Sequence, residues 1–194
     1  MYKLAKSRKE EIVFIAIDII AEVGIQNLSM IKIAERVGIS EAALYRHFES
    51  KNEMLFFMVD IMDNLLFIEI KKKLNPFNNP IEKLKTILHF QFQFIQRNKG
   101  IPQILFSEAL QFEDNKLTSK TANILDKFLT LIKEILSEAK SSGCIKSVFD
   151  TDAIAVIFLG MIQSTIIIWT LGGCKFSLEK KEKVLWKTFS LLLR

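Results

Sequence analysis

The chain has 194 residues, 49% hydrophobic and 25% charged, a balance that excludes a disordered chain and allows a real core. Its net charge of +5 is modest for a nucleic-acid binder, and residues 1–51 hold eight Lys/Arg against seven Asp/Glu, so bulk charge identifies no partner. Three prolines and seven glycines favour long helices, while Cys144 and Cys174 are too isolated for a disulfide framework or zinc site and fit a reducing cytoplasm.

In chain order, MYKLAKSRKEE places Lys3, Lys6, Arg8 and Lys9 before the first acid, Glu10, as a short basic arm without the apolar core of a signal peptide. Ser7 and Glu10 have capping-box spacing ahead of an apolar stripe, Ile12, Ala16, Ile19, Ile20 and Val23, which Gly24 ends. A second, short helix is predicted from the cap Ser29, burying Ile33, Ala34 and Val37 and stopping at Gly38. A third starts at Ser40 and turns Leu44 and Phe48 inward at i, i+4 spacing. Ser50 and Glu53 open a fourth, running to about Leu74.

The run Asn75-Pro76-Phe77-Asn78-Asn79-Pro80 is the clearest loop and the predicted subdomain boundary, separating an N-terminal domain at 6–66 from a larger helical domain at 75–194. Asn79 as cap and Pro80 at the first helical position restart a helix to about Asn98. Within it, His89-Phe90-Gln91-Phe92-Gln93-Phe94 alternates with period two, as a strand would, but the flanking helical signals outweigh this. Helices follow at about Pro102–Phe112, Lys116–Ser141, Thr151–Leu171 and Ser177–Leu193. The fold class is therefore all-α.

Two short helices joined by Gly38-Ile39, with a third before them, describe a helix-turn-helix over residues 29–48. Gly38 supplies the turn, Ala34 and Leu44 the inner contacts, and Ser40, Glu41, Tyr45, Arg46 and His47 the outer face. The run from Leu28 to Leu55 resembles the signature of the tetracycline-repressor-like (TetR) family: a hydroxyl residue, Ile33-Ala34, Gly38-Ile39-Ser40, Tyr45-Arg46-His47-Phe48, then Lys51 and Leu55. The resemblance covers about the first 65 residues; the remaining helices match the family's layout without a diagnostic motif.

That resemblance implies DNA contacts at Ser29, Lys32, Ser40, Glu41, Ala42, Tyr45, Arg46, His47 and Lys51. Ser29 begins the supporting helix, where a hydroxyl and free N–H groups suit a phosphate, and Lys51 resembles the family's phosphate-contacting lysine. Ala42 stands where many members have glycine. Glu41 either accepts from a cytosine amino group or favours the helix N-terminus. Tyr45 also fits a packing role and His47 an ordinary surface position.

The resemblance further implies a small-molecule pocket in the larger domain. Phe90, Phe94, Leu105, Phe106 and Phe112 are the candidate lining for a hydrophobic effector with an acyl or aromatic body, although each alone fits plain core. Residues 153–174 contain no charge and are long enough to span a bilayer. The alternative is a helix covered on one side by its own domain and on the other by a second subunit, as in the family's dimers, which use the last two helices, about 151–171 and 177–193. No cofactor, metal site or catalytic constellation is expected. The expected protein is a cytoplasmic homodimer placing two reading helices on palindromic operator DNA, released by its effector. The competing expectations are a membrane-associated helical protein and a ligand-binding protein with a non-functional DNA head.

Overall fold

The computed structural model describes residues 7–105 and 115–193, and every regular element among them is helical. The elements are α1 (Arg8–Val23), a 3₁₀ turn (Ile25–Asn27), α2 (Met30–Val37), α3 (Glu41–Tyr45), α4 (Lys51–Leu74), α5 (Pro80–Arg97), α6 (Gly100–Leu105), α7 (Asn115–Ser141), α8 (Thr151–Leu171) and α9 (Leu178–Leu192).

Their ends are set by local hydrogen bonds. Ser7, Ser29, Ser40, Ser50 and Ser177 each accept from the backbone N–H three residues on. Asn79 accepts from the Ile81 N–H ahead of α5, and Asp150 accepts from Asp152 and Ala153 ahead of α8. Such side chains satisfy helix-initial N–H groups that no carbonyl can reach. At Ser50 the box closes one residue early, since the Glu49 N–H rather than that of Ser50 donates to the Glu53 carboxylate.

The chain forms two compact units by its internal contacts. Unit 1 comprises Met1–Leu66 with Asn98–Thr121; unit 2 comprises Phe67–Arg97 with Ala122–Arg194. In unit 1, α1 is buried on nearly every side through Ile12, Val13, Phe14, Ala16, Ile17, Ile19 and Ile20. Val23, grouped with that stripe by periodicity, is instead 40% exposed, because the helix ends there. Helix α6 packs against α1, and Gly100 makes the approach possible: a β-carbon there would lie 2.2 Å from the Ile17 carbonyl oxygen. Lys120 pairs with Asp60 and stacks over the Phe56 ring at 3.6 Å.

In unit 2, α5 packs against α8 and α9. That accounts for the alternating segment: with two neighbours, α5 buries Phe90, Gln91, Phe92 and Ile95 over a wide arc, so a period-two pattern sits on a helix. Helix α8 buries Ile154, Ala155, Phe158, Ile162, Thr165, Ile166 and Trp169 at helical spacing, and the Trp169 indole donates to the Phe176 carbonyl. Lys83–Glu138 and Lys133–Asp152 pairs link its surface helices.

Candidate nucleic-acid interface

The candidate reading element is built on two caps and one turn. Gly38 has φ 77° and ψ 33°, the left-handed conformation that closes α2, and its N–H and that of Ile39 both donate to the Ala34 carbonyl. Ile33, Leu44 and Phe48 are fully buried beneath this turn, which fixes the rotation of α3. Glu41, Ala42, Tyr45 and Arg46 consequently face solvent, and His47 is half-buried. Tyr45 is 45% exposed. The Ser40 hydroxyl accepts from the Ala43 N–H at 3.1 Å, and Ser29 likewise from Lys32 at 3.3 Å; both serines therefore act as caps in the free chain.

The lysines are held by backbone carbonyls. Lys32 Nζ donates to the Asn27 carbonyl at 3.1 Å, and Lys51 Nζ to the Ile25 carbonyl at 3.5 Å. The 3₁₀ turn thus gathers two ammonium groups from different helices. Asn27, which sequence reasoning missed, fixes that turn by donating its side-chain amide to the Val23 carbonyl; its position three residues after Gly24 was the available signal.

Other charges brace the head. Arg36 grips Glu22 through both guanidinium nitrogens, at 3.1 and 2.5 Å, joining α2 to α1. The Arg36 hydrogen bond holds the Glu22 carboxyl below the usual carboxylate range. Lys9 pairs with Glu53 at 3.6 Å and stands over the Phe48 ring at 5.0 Å, joining α1 to the start of α4.

The expected effector residues divide between the units. Phe90 and Phe94 stand one turn apart on α5 in unit 2, with ring centroids 5.8 Å apart. Leu105 ends α6 in unit 1, and Phe106 and Phe112 lie outside the described residues. Among the described residues, surface cavities of unit 2 are lined by other residues. One of about 410 Å³ lies among Phe67, Lys71, Asp126, Lys127, Thr130, Leu131 and Glu134. Another, of about 520 Å³, lies along Thr165, Ile168, Phe176, Ser177, Lys180, Lys181 and Val184. A further one, of about 380 Å³, is lined by Phe92, Gln93, Gln96, Arg97, Glu179 and Glu182. Among the described residues, no group of His, Cys, Asp and Glu has a metal-binding arrangement.

Comparison with known proteins is consistent with this geometry. Residues 12–57 match the family described as bacterial regulatory proteins, tetR family, and residues 60–193 match the C-terminal region of YsiA-like proteins. The nucleoid occlusion factor SlmA of Alteromonas mediterranea is 36% identical over 115 residues, a match spanning 59% of each chain. The fatty acid degradation regulator FadR of Bacillus halodurans superposes with a TM-score of 0.81 at 23% identity, over 96% of this chain and 100% of that one. The transcriptional regulator FadR of Bacillus subtilis, solved with stearoyl-CoA, gives 0.81 at 21% identity, over 94% and 98%. At these identities the two superpositions establish the fold.

Proposed function

The chain belongs to the bacterial tetR family of regulatory proteins, and from that premise we propose that it is a homodimeric repressor released from a palindromic operator by an acyl thioester. The observation that carries the reading is the helix-turn-helix, in which Leu44 and Phe48 are fully buried while Glu41, Ala42, Tyr45 and Arg46 are turned outward. A helix so rotated offers its first turn to a major groove. Ser29, Lys32 and Lys51 flank it as phosphate contacts, and Ser40 and His47 complete the set. Family members are cytoplasmic transcription regulators rather than enzymes.

The dimer is supported by exposed apolar side chains on the two last helices. Val156, Ile157, Ile168 and Leu171 on α8, and Val184, Leu191 and Leu192 on α9, are 56% to 83% exposed. On this reading a second copy covers them, and the two reading helices enter successive major grooves, which lie about 34–36 Å apart on DNA. Helix α8 is long and apolar enough to cross a membrane, but its buried face packs within its own unit, which favours a dimer helix over a bilayer span.

The effector class is supported by the stearoyl-CoA complex of the structurally similar FadR and by the phenylalanines of α5. Binding in unit 2 would reach the head along α4, whose residues continue from one unit into the other. The coupling is expected at about 1–3 kcal/mol and must be reciprocal. Selection of bound duplexes from a random pool yields the operator, and acyl-CoAs of graded chain length are then tested for release. A Tyr45→Phe, Lys51→Ala double variant that kept full affinity and an unchanged salt dependence would sink the contact assignment. The likeness to a nucleoid occlusion factor favours a second reading, a DNA-bound factor without an acyl effector; operator binding indifferent to every acyl-CoA would select it.

A further inference from the structure

The 380 Å³ cavity of unit 2 has a chemistry unlike that of an acyl pocket. Among the described residues, five of the six that line it are polar or charged, the sixth being Phe92. One wall belongs to α5. Gln93, Gln96 and Arg97 share one face there, and among the described residues none of their side chains has a hydrogen-bond or ion-pair partner. The other wall belongs to α9, where Glu179 and Glu182 are one turn apart.

Both carboxylates are held in place. Glu182, whose side chain is only 12% exposed, has both oxygens 3.0 Å from His89 Nδ1. Glu179 accepts from Lys183 at 2.9 Å, and that bond lowers its pKa, keeping it ionised. The tautomer with hydrogen on Nδ1 donates to this carboxylate, so His89 orients Glu182 at the cavity wall. His89 and Arg97 are eight residues apart on α5, about 12 Å along the axis. The site therefore offers fixed negative charge near one level and a positive guanidinium further along, with two amides between.

We propose that this cavity binds a small zwitterion whose charges are several bonds apart, an ω-amino acid or a dipeptide. Its ammonium group lies against Glu179 and Glu182, its carboxylate takes the Arg97 fork, and Gln93 and Gln96 bond the groups between. The site is distinct from the acyl effector in chemistry and does not depend on that reading. It also lies apart from the proposed dimer surface, because Lys180, Lys181 and Val184 line a different cavity, on the other side of α9.

The test uses the full chain without DNA. Aminohexanoate and diglycine are titrated by calorimetry and thermal shift, with hexylamine and hexanoate as single-charge controls. Each zwitterion is expected to bind and raise the unfolding midpoint, and neither control to match it. Glu182→Gln, which keeps an acceptor for His89, and Arg97→Gln are each expected to weaken binding about tenfold or more. Their unliganded midpoints and operator affinities should stay at the parent values, which separates loss of the site from loss of fold. Binding of a single-charge control as tight as that of the zwitterions overturns the proposal. So does affinity that survives both substitutions, or the absence of binding by either zwitterion.

Discussion

Gly100 is the residue at which one added methyl group should disturb unit 1 most. In a Gly100→Ala variant the new carbon would meet the Ile17 carbonyl oxygen at 2.2 Å and the Ala21 nitrogen at 3.2 Å. Ordinary contact begins at about 3.5 Å, so α6 must move by more than an ångström, and both obstacles are backbone atoms inside α1. Against this stands the better helix propensity of alanine, at most about 1 kcal/mol and less at the first residue of a helix. Overpacking of this kind costs about 1–3 kcal/mol. Lifting α6 would also begin to expose Ile101 and Ile104, now 2% and 0% exposed, and each fully buried side chain of that size is worth about 1.5–3 kcal/mol. The penalty wins, with a net loss near 2 kcal/mol. At about 2–4 °C per kcal/mol for a chain of this length, the melting midpoint should fall by about 4–8 °C. Circular dichroism melting of the variant beside the parent, at equal concentration, checks this. A Gly100→Ala midpoint equal to the parent's would mean that α6 does not seat on α1 as described.

Ser40→Ala removes the cap of the reading helix and should cost about 1 kcal/mol, read as weaker operator binding together with a slightly lower denaturant midpoint. Lys32→Ala and Lys51→Ala should each weaken binding to all sequences alike and reduce the slope of log affinity against log salt by about 1 per protomer. Asp150→Ala tests the cap of α8 through pH. Hydrogen bonds from the Ala153 and Asp152 backbone hold the Asp150 carboxyl below its ordinary value, so its contribution is present above the unfolded value of about 3.9 and is lost as pH falls through the lowered folded one. The variant should melt below the parent at neutral pH, and the two should converge in acid. Ile168→Glu places a charge on a side chain that is 62% exposed in the single chain; sedimentation should show monomers with the helical content intact, and an unchanged dimer would relocate the interface.

The helix-turn-helix was legible because its determinants are local. Each cap at Ser7, Ser29, Ser40 and Ser50 bonds a backbone group three residues away, and Gly38 acts on carbonyls three and four residues back. A sequence window of that width contains both partners. The seating of α6 on α1 was not legible, because it depends on Gly100 meeting Ile17 across most of a domain's length of chain. The Asn-Pro loop marked a real helix boundary, but a loop reports where the chain turns and not which core receives it. The phenylalanines posed a related difficulty: composition shows that α5 is apolar on several sides, and only packing distinguishes side chains facing α8 and α9 from those facing a ligand.

Charge shows the same division between what a sequence states and what a fold does with it. Residues 1–51 are nearly neutral, yet their charges are not equivalent once folded. Arg8, Arg36 and Lys9 are committed to Glu11, Glu22 and Glu53, where they hold helices together. These bridges are half-exposed, so each contributes little energy individually; two of the three, however, join separate helices and fix the frame that α3 stands on. Lys32 and Lys51 meet neutral carbonyls instead, so on the proposed reading their charge is available to a phosphate. Exchanging a carbonyl for a phosphate needs no ion pair to be broken. On the proposed reading, a head with almost no net charge binds DNA through a few cations left uncompensated at the right turn, and its selectivity would then rest on the outward face of α3 rather than on general attraction to the backbone.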